Sequence, residues 1–309
     1  MKMSNDINCI ILCAGTGSRM NCDTKNKVCF EIAGKPAVVR VIENLQECGI
    51  KKFVVVVGSK AESVMNSVAH IEGVTFAFQK EQSGTGNAAL CGLKVLNSFS
   101  ACGPVLVVMG DKLISKKVFR ELIDDFYSKD ADISLITQPA EFNASGGKIV
   151  VSDDKVLGIV EHMDLLLLSV CERLASGENL EDIYSALNLT EKQKTKLNKK
   201  LCDINPTEND FSISLAQKKL SSKDITASNM VNCATYLYKR DAINSSISDL
   251  KSDNAQNEIY FTDTVEKIAQ SGKVSYVNIT EKSLIQTFNT PKELEEINNY
   301  FTEGITNEF

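Results

Sequence analysis

Small and cationic residues set directly after apolar runs are where this chain could do chemistry. Ile7 to Leu12 leads into Cys13-Ala14-Gly15-Thr16-Gly17-Ser18-Arg19. Gly15 and Gly17 can take positive φ and let backbone N–H groups approach an anion, and Arg19 can neutralise charge on that anion. Taken alone, such a turn serves equally well as a tight strand-to-helix connection. It lacks the third glycine of the dinucleotide fingerprint and does not fit GxxxxGK[ST], so neither of those readings is supported. Lys25 and Lys27 follow in a polar loop. A second small-residue loop, Gly84-Thr85-Gly86, comes after the apolar run VTFAFQ, and PVLVVM runs straight into Gly110-Asp111. An acid closing a buried strand is either a helix cap or, beside a phosphate loop, a ligand for a cation.

What is scarce narrows the chemistry further. His70 and His162 are the whole imidazole supply, which argues against a His-based triad or a multi-histidine zinc site. The ten cysteines contain no CxxC pair, and Cys9, Cys13, Cys91 and Cys233 lie in apolar runs, so they read as reduced and structural. A catalytic metal would then be a hard cation held by oxygen, Mg²⁺ beside phosphates. A net charge of −6 disfavours a general nucleic-acid binder. The N-terminus lacks the layout of a signal peptide, and LLLLSV at 165–170 is too short to cross a bilayer. We therefore expect a cytoplasmic protein with neither nucleic-acid nor membrane partners.

The elements that must position these residues alternate. Strand-like runs at 7–12, 53–60, 74–79 and 104–115 are each followed by a loop and a helical pattern, the clearest being Val38, Val39, Ile42, Leu45 and Cys48 after the turn at Gly34-Lys35-Pro36. With 309 residues and 43% hydrophobic content, the chain can bury a large α/β core. Repeated strand-loop-helix units predict a mostly parallel sheet with helices on both faces, and such sheets bind ligands at the carboxyl ends of their strands. The glycine loop with Arg19, the GTG loop and Asp111 should therefore share one crevice.

Several segments in order carry a family resemblance. ILCAGTGSRM resembles the LAAGxGTRM signature of nucleotide-sugar pyrophosphorylases; NKVCFEIAGKP resembles their PKVLxxLxGKP, with Asn26 for the proline; QKEQSGTGNAAL resembles QxEQxGTGHA, with Asn87 for histidine. LVVMGDKLIS is similar to GDxPLI, ASGGKI to GYGRI with Lys148 for arginine, and VNCATYLY to INTGIYxF with Ala234 for glycine. GIVEHMD at 158–164, NAQNEIYFTD at 254–263 and FNTPKELEEI at 288–297 complete the series. The likeness spans roughly 7–164 and 229–300, and within the family it points to the uridylyltransferase half of the bacterial bifunctional UDP-N-acetylglucosamine pyrophosphorylases.

The resemblance implies an α/β, Rossmann-like nucleotidyltransferase fold, formed by residues 1–164 and 229–309, with 165–228 as a helical insertion. It implies that a sugar-1-phosphate attacks the α-phosphorus of UTP and expels pyrophosphate. By the same similarity, Ala14, Gly15, Gln79, Gln82, Gly84 and Thr85 would form the base pocket, and Arg19 and Lys27 would hold the triphosphate. Asp111 and Asn289 would bind Mg²⁺, and Gly147, Glu161 and Asn232 would hold the sugar. Without the resemblance, Asn289 reads as an N-cap before a helix opening at Pro291, and Glu161 as a solvated strand-end charge.

Departures from the pattern raise specific questions. Losing the proline before Lys27 should loosen the loop that aims it, with Lys25 as the alternative. Lys112, beside Asp111, either points away from the crevice or contacts phosphate. In 165–228, Leu165–Leu174, Leu180–Leu187 and Glu191–Leu201 have helical spacing, with Asn179, Asn188 and Thr190 as caps, followed by a polar loop through NPTEND. This insertion should cover the sugar end or alter acceptor choice; the alternative is a plain surface or a contact within a homo-oligomer. No hexapeptide repeat is present, so acetyl transfer is not expected. Beside the uridylyltransferase stand two other readings, a cytidylyltransferase for choline phosphate or a sugar-alcohol phosphate, and a silent relative that binds nucleotide as a regulatory subunit.

Overall fold

A computed structural model describes residues 6–20, 22–99, 102–206, 211–302 and 309. Its centre is strand β1 (Asn8–Leu12), buried at every position. β2 (Lys52–Val57) and β4 (Val105–Met109) flank β1 in parallel, and β3 (Val74–Phe78) extends the sheet beyond β2, also parallel. The remaining strands are β5 (Ile133–Pro139), β6 (Lys148–Ser152), β7 (Lys155–Val160), β8 (Met230–Tyr238) and β9 (Val274–Asn278). β8 lies antiparallel between β4 and β5, and β9 continues parallel to β5, giving the order β3-β2-β1-β4-β8-β5-β9. The β6–β7 hairpin joins the start of β8 at Val231 opposite Lys148.

Alternate residues of β1 feed two cores. Cys9 and Ile11 face a layer built from α1 (Ala37–Glu47), α2 (Ala61–Val68) and, beyond α3 (Thr85–Ser98) in the chain, α4 (Lys116–Ser128), through Val38, Ile42, Val64, Phe119 and Leu122. Ile10 and Leu12 face α3 (Thr85–Ser98) through Ala89 and Leu93. Helices thus cover both faces, which is why the strands read as unbroken apolar runs.

A third layer follows β7. α5 (His162–Ala175), α6 (Leu180–Ala186) and α7 (Glu191–Leu201) pack around Leu167, Cys171, Ile183, Tyr184 and Leu197. Asn179 caps α6, and Thr190 with Gln193 forms a capping box on α7. Asn188 differs from the expected helix start: its φ of 51° places it in the left-handed turn that ends α6. α5 opens at His162, inside the GIVEHMD segment. Of the expected NPTEND loop, residues 207–210 lie outside the described residues. A hairpin, Ile213–Leu215 with Lys218–Leu220, and α8 (Ser222–Thr226) then lead toward β8; Leu215, Leu220 and Ile225 pack on Val150 and Val160 of β6 and β7. α9 (Arg240–Ile247) and α10 (Asp263–Ala269) complete the second face, and α11 (Pro291–Thr302) comes last. Among the described residues, no helix is long and apolar enough to cross a membrane.

Candidate active site

Four polar side chains from distant segments meet at the carboxyl ends of β1 and β4. Lys27 Nζ pairs with the Asp111 carboxylate and donates to Asn289 Oδ1 at 3.0 Å, while Arg19 donates to the same Asn289 oxygen at 2.8 Å. The side chains of Lys27 and Asp111 are only 12% and 18% exposed, so this pair is shielded from water. Lys27 Nζ also lies 5.2 Å from the centroid of the buried Phe288 ring. Asn289 reaches this point because Ile285–Thr287 pairs antiparallel with Lys112–Ile114, the short strand directly after Asp111.

Local sequence explains each placement. Gly17, with φ of 58°, lies against Lys27, and an added Cβ would fall 2.9 Å from the Lys27 Cβ. Asn26 keeps φ −68° and ψ 150°, a conformation proline would also adopt, and its amide donates to the carbonyls of Cys13, Gly15 and Ser59 at 3.2, 3.1 and 2.8 Å. Its Oδ1 accepts from Val28 N–H at 3.2 Å, capping the turn that carries Lys27. The expected loosening is therefore offset by side-chain hydrogen bonds. Lys25 stands elsewhere, 5.9 Å from the Phe30 centroid. Asn289 is not the helix cap: Thr290 Oγ1 accepts from Glu293 N–H at 3.3 Å, and Glu293 accepts from the Asn289 and Thr290 amides, which leaves the Asn289 side chain free to meet Arg19 and Lys27. Thr290-Pro291-Lys292-Glu293 is a capping-box pattern legible in sequence.

On the other side of the glycine turn, Gln82 Nε2 donates to the Ala14 carbonyl at 3.0 Å, and buried Gln79 donates to the Gly84 carbonyl at 3.2 Å and to Asn87 Oδ1 at 2.9 Å. Gly84 has φ of 115° and lies against the Ile259 backbone, where a Cβ would come within 2.5 Å of a carbonyl oxygen. The Thr85 hydroxyl oxygen accepts from Phe261 N–H at 3.2 Å, so it is already engaged. Ala14, Gly15, Gln79, Gln82, Gly84 and Thr85 are thus brought together, with Gly15 linked to the cationic cluster through Asn26.

Gly147, Glu161 and Asn232 form a separate group. The Asn232 N–H donates to the Gly147 carbonyl at 2.9 Å, and a Cβ on Gly147 would sit 3.3 Å from Glu161 Oε2. The Asn232 side chain is committed locally, donating to the Tyr236 hydroxyl at 2.6 Å and accepting from Ala234 N–H at 2.9 Å. The latter bond supports Ala234 at φ 49°, in a bulge of β8. Lys112 ties this bulge to the cationic cluster, donating to the Cys233 carbonyl at 2.8 Å rather than presenting a free charge to the crevice. Glu161 accepts from Thr262 at 2.9 Å; burial, with Asp164 and Glu258 nearby, pushes its carboxyl up despite that bond. Burial and the neighbouring Lys148 push His162 down. Sequence reading missed the part played by residues 254–262, whose Ile259, Phe261 and Thr262 touch both groups.

Two cations, a carboxylate and an amide in one network, its Lys27–Asp111 pair shielded and its Arg19 open to solvent, can grip a polyphosphate, and the adjoining small-residue loops leave backbone close to a flat ligand. The model of the MobA-like NTP transferase domain matches residues 9–203. The bifunctional protein GlmU of Mycolicibacterium gilvum is 28% identical over 301 residues, 95% of this chain and 49% of that protein. GlmU of Geobacter metallireducens is 36% identical over 161 residues, 52% of this chain and 33% of that protein. The chain thus spans about half the length of the first of these relatives or less. A solved UDP-glucose pyrophosphorylase complexed with UDP-glucose shares the fold, with a TM-score of 0.65 at 16% identity over 96% of this chain and 98% of that one. Because the matched span takes in the glycine turn, Lys27, the GTG loop, Asp111 and Glu161, on a sheet of the same architecture, this chain belongs to the MobA-like NTP transferase family.

Proposed function

We propose that this chain is a Mg²⁺-dependent nucleotidyltransferase that joins UTP to a sugar-1-phosphate, N-acetylglucosamine-1-phosphate foremost, and releases pyrophosphate. The observation that carries this reading is the convergence of Arg19, Lys27, Asp111 and Asn289, from both ends of the chain, on one hydrogen-bonded network. The EQSGTG and GIVEHMD segments favour uridine and sugar. A phosphate oxygen of the sugar-1-phosphate forms a bond to the α-phosphorus, and the bond from that phosphorus to the bridging oxygen breaks, pyrophosphate leaving with the electron pair. The nucleophile is already anionic and needs no general base, which suits a chain with only two histidines, neither of them in the Arg19–Lys27–Asp111–Asn289 network.

The work left to the chain is positioning and charge neutralisation. Gln79, Gln82 and the loop backbones would orient the base, Arg19 the β- and γ-phosphates, and Lys27 the α-phosphate. Asp111 and Asn289 fit a hard cation, since their oxygens already converge on one positive centre, the Lys27 ammonium. Among the described residues, no group of three or more His, Cys, Asp or Glu could hold a metal, so phosphate and water would complete the shell. Mg²⁺ bound there would supply charge neutralisation on the phosphate oxygens. Lys27 must then turn from Asp111 toward phosphate. Gly147, Glu161 and the Asn232 backbone would hold the sugar.

Pyrophosphate release from four nucleoside triphosphates, against sugar-1-phosphates, choline phosphate and sugar-alcohol phosphates, tests this reading. UTP with N-acetylglucosamine-1-phosphate should be fastest and should fail without Mg²⁺. Arg19→Ala and Asp111→Asn should each lower kcat/KM by about 10²-fold or more. Preference for CTP with an alcohol phosphate would reassign the substrate, and tight nucleotide binding without turnover would make the chain a regulatory binder.

A further inference from the structure

Residues 252–262 form an irregular strap that touches three parts of the molecule. At the base-side loop, Ile259 N–H donates to the Ser83 carbonyl at 2.7 Å, Gly86 N–H donates to the Ile259 carbonyl at 2.8 Å, and Phe261 N–H meets Thr85. At the proposed sugar end, the Thr262 hydroxyl donates to Glu161. At the helical layer, Asp164 Oδ1 accepts from Ala255 N–H at 2.6 Å, Ala255 is buried in the core of α5–α7, and Lys196 of α7 donates to Gln256 Oε1 at 2.5 Å. Lys200 reaches Asp253 and Asn257 at 3.4 and 3.5 Å. Asn254 fixes the strap's own shape, donating to the Glu258 carbonyl and accepting from the Gln256 and Glu258 amides.

Asp164 is the buried member of this third attachment, 8% exposed. It stands three residues after the helix cap Glu161, where an acid ordinarily turns back to the capping residue's amide. Here it leaves its own helix for the strap. Residues 252–262 contain no strand, so their order depends on these anchors.

We propose that Asp164 is a positioning residue through which the helical layer α5–α7 holds the strap, and that the strap sets the Ser83–Gly86 loop and Glu161 together, so that affinity for nucleotide and for acceptor changes in concert. The identity of the two ligands rests on the reading under Proposed function; the coupling does not.

Asp164→Ala should raise KM for UTP and for the sugar-1-phosphate together, about tenfold each, with kcat within about twofold of the wild type. Asp164→Asn keeps an acceptor for the Ala255 amide and should restore both. Lys196→Ala with Lys200→Ala, on the outer attachment, should give a smaller parallel rise and serves if Asp164→Ala does not fold. In the free protein, hydrogen exchange at the Gly86 and Phe261 amides should quicken in Asp164→Ala while the amides of β1 and β2 stay unchanged. A shift in one KM alone, a loss of stability without either shift, or unaltered exchange at Gly86 would overturn the proposal. Wild-type protein that turns over no nucleotide would instead count against the assigned reaction, and the exchange comparison would still decide the coupling.

Discussion

The carbonyls of Cys13, Gly15 and Ser59 all point at one amide group, that of Asn26. A ring in that position would fix φ but supply no donor, whereas asparagine fixes the loop through its side chain and caps the turn bearing Lys27. Asn26→Ala leaves these carbonyls without a partner, so urea unfolding should show a loss of about 2–3 kcal/mol. Because Lys27 is the next residue, kcat/KM should also fall about tenfold. Unchanged kinetics with lowered stability would separate the loop from the lysine. Which residues do the gripping was legible unevenly. Arg19 and Lys27 announce themselves by charge beside glycine. Asn289 has no local signal, since its partner Arg19 lies 270 positions away, and only resemblance singled it out.

At the scale of elements, the start of α11 decides where Asn289 points. Thr290 and Glu293 satisfy the helix's first amides and so release the residue before them. Thr290→Val should cost about 1 kcal/mol of stability. Glu293→Ala should cost as much and also weaken nucleotide binding, read by titration calorimetry, because the Asn289 amide loses its acceptor. Equal nucleotide affinity in wild type and Glu293→Ala would show that the cap does not aim Asn289. β1, β2 and β4 were legible because both their faces are buried and their residues are almost all apolar, whereas β3, at the sheet edge with Phe78 63% exposed, showed only as a short apolar run. The 213–220 hairpin was not: its strands are three residues long, and its turn residues Ala216 and Gln217 take φ of 49° and 62° without the Asn-Gly pair that usually marks such a turn.

Across the whole molecule, carboxylates gathered around the strap shape the response to pH. Burial beside Asp164, Glu161 and Glu266 pushes Asp263 up to about 7, and burial pushes Asp164 up to about 6, against an ordinary value of 3.8 for each. The folded protein then keeps protons that the unfolded chain has released, so stability falls as pH rises from about 4 to about 7. Asp132, held low by the Lys273 amide and by Lys239, acts at more acid pH, and His162, pushed down by burial and Lys148, opposes the trend below about pH 6.5 as one group against the two raised carboxylates. The melting temperature should be higher at pH 5 than at pH 8, and Asp263→Asn should flatten the difference; an unchanged slope would remove Asp263 as its source. The sheet order was only partly legible, because resemblance singles out the VNCATYLY segment but nothing local says that residues 230–238 lie between β4 and β5. That placement also governs assembly. As the chain leaves the ribosome, β4 and β5 emerge early yet cannot become neighbours, and the gap between them stays open until β8 has been synthesised. A nascent chain halted before Met230 would leave one edge of β4 bare and β5 without either of its neighbours, since β9 also comes later, a template for other chains to stick to, and folding of the whole should be slow for want of these late strands.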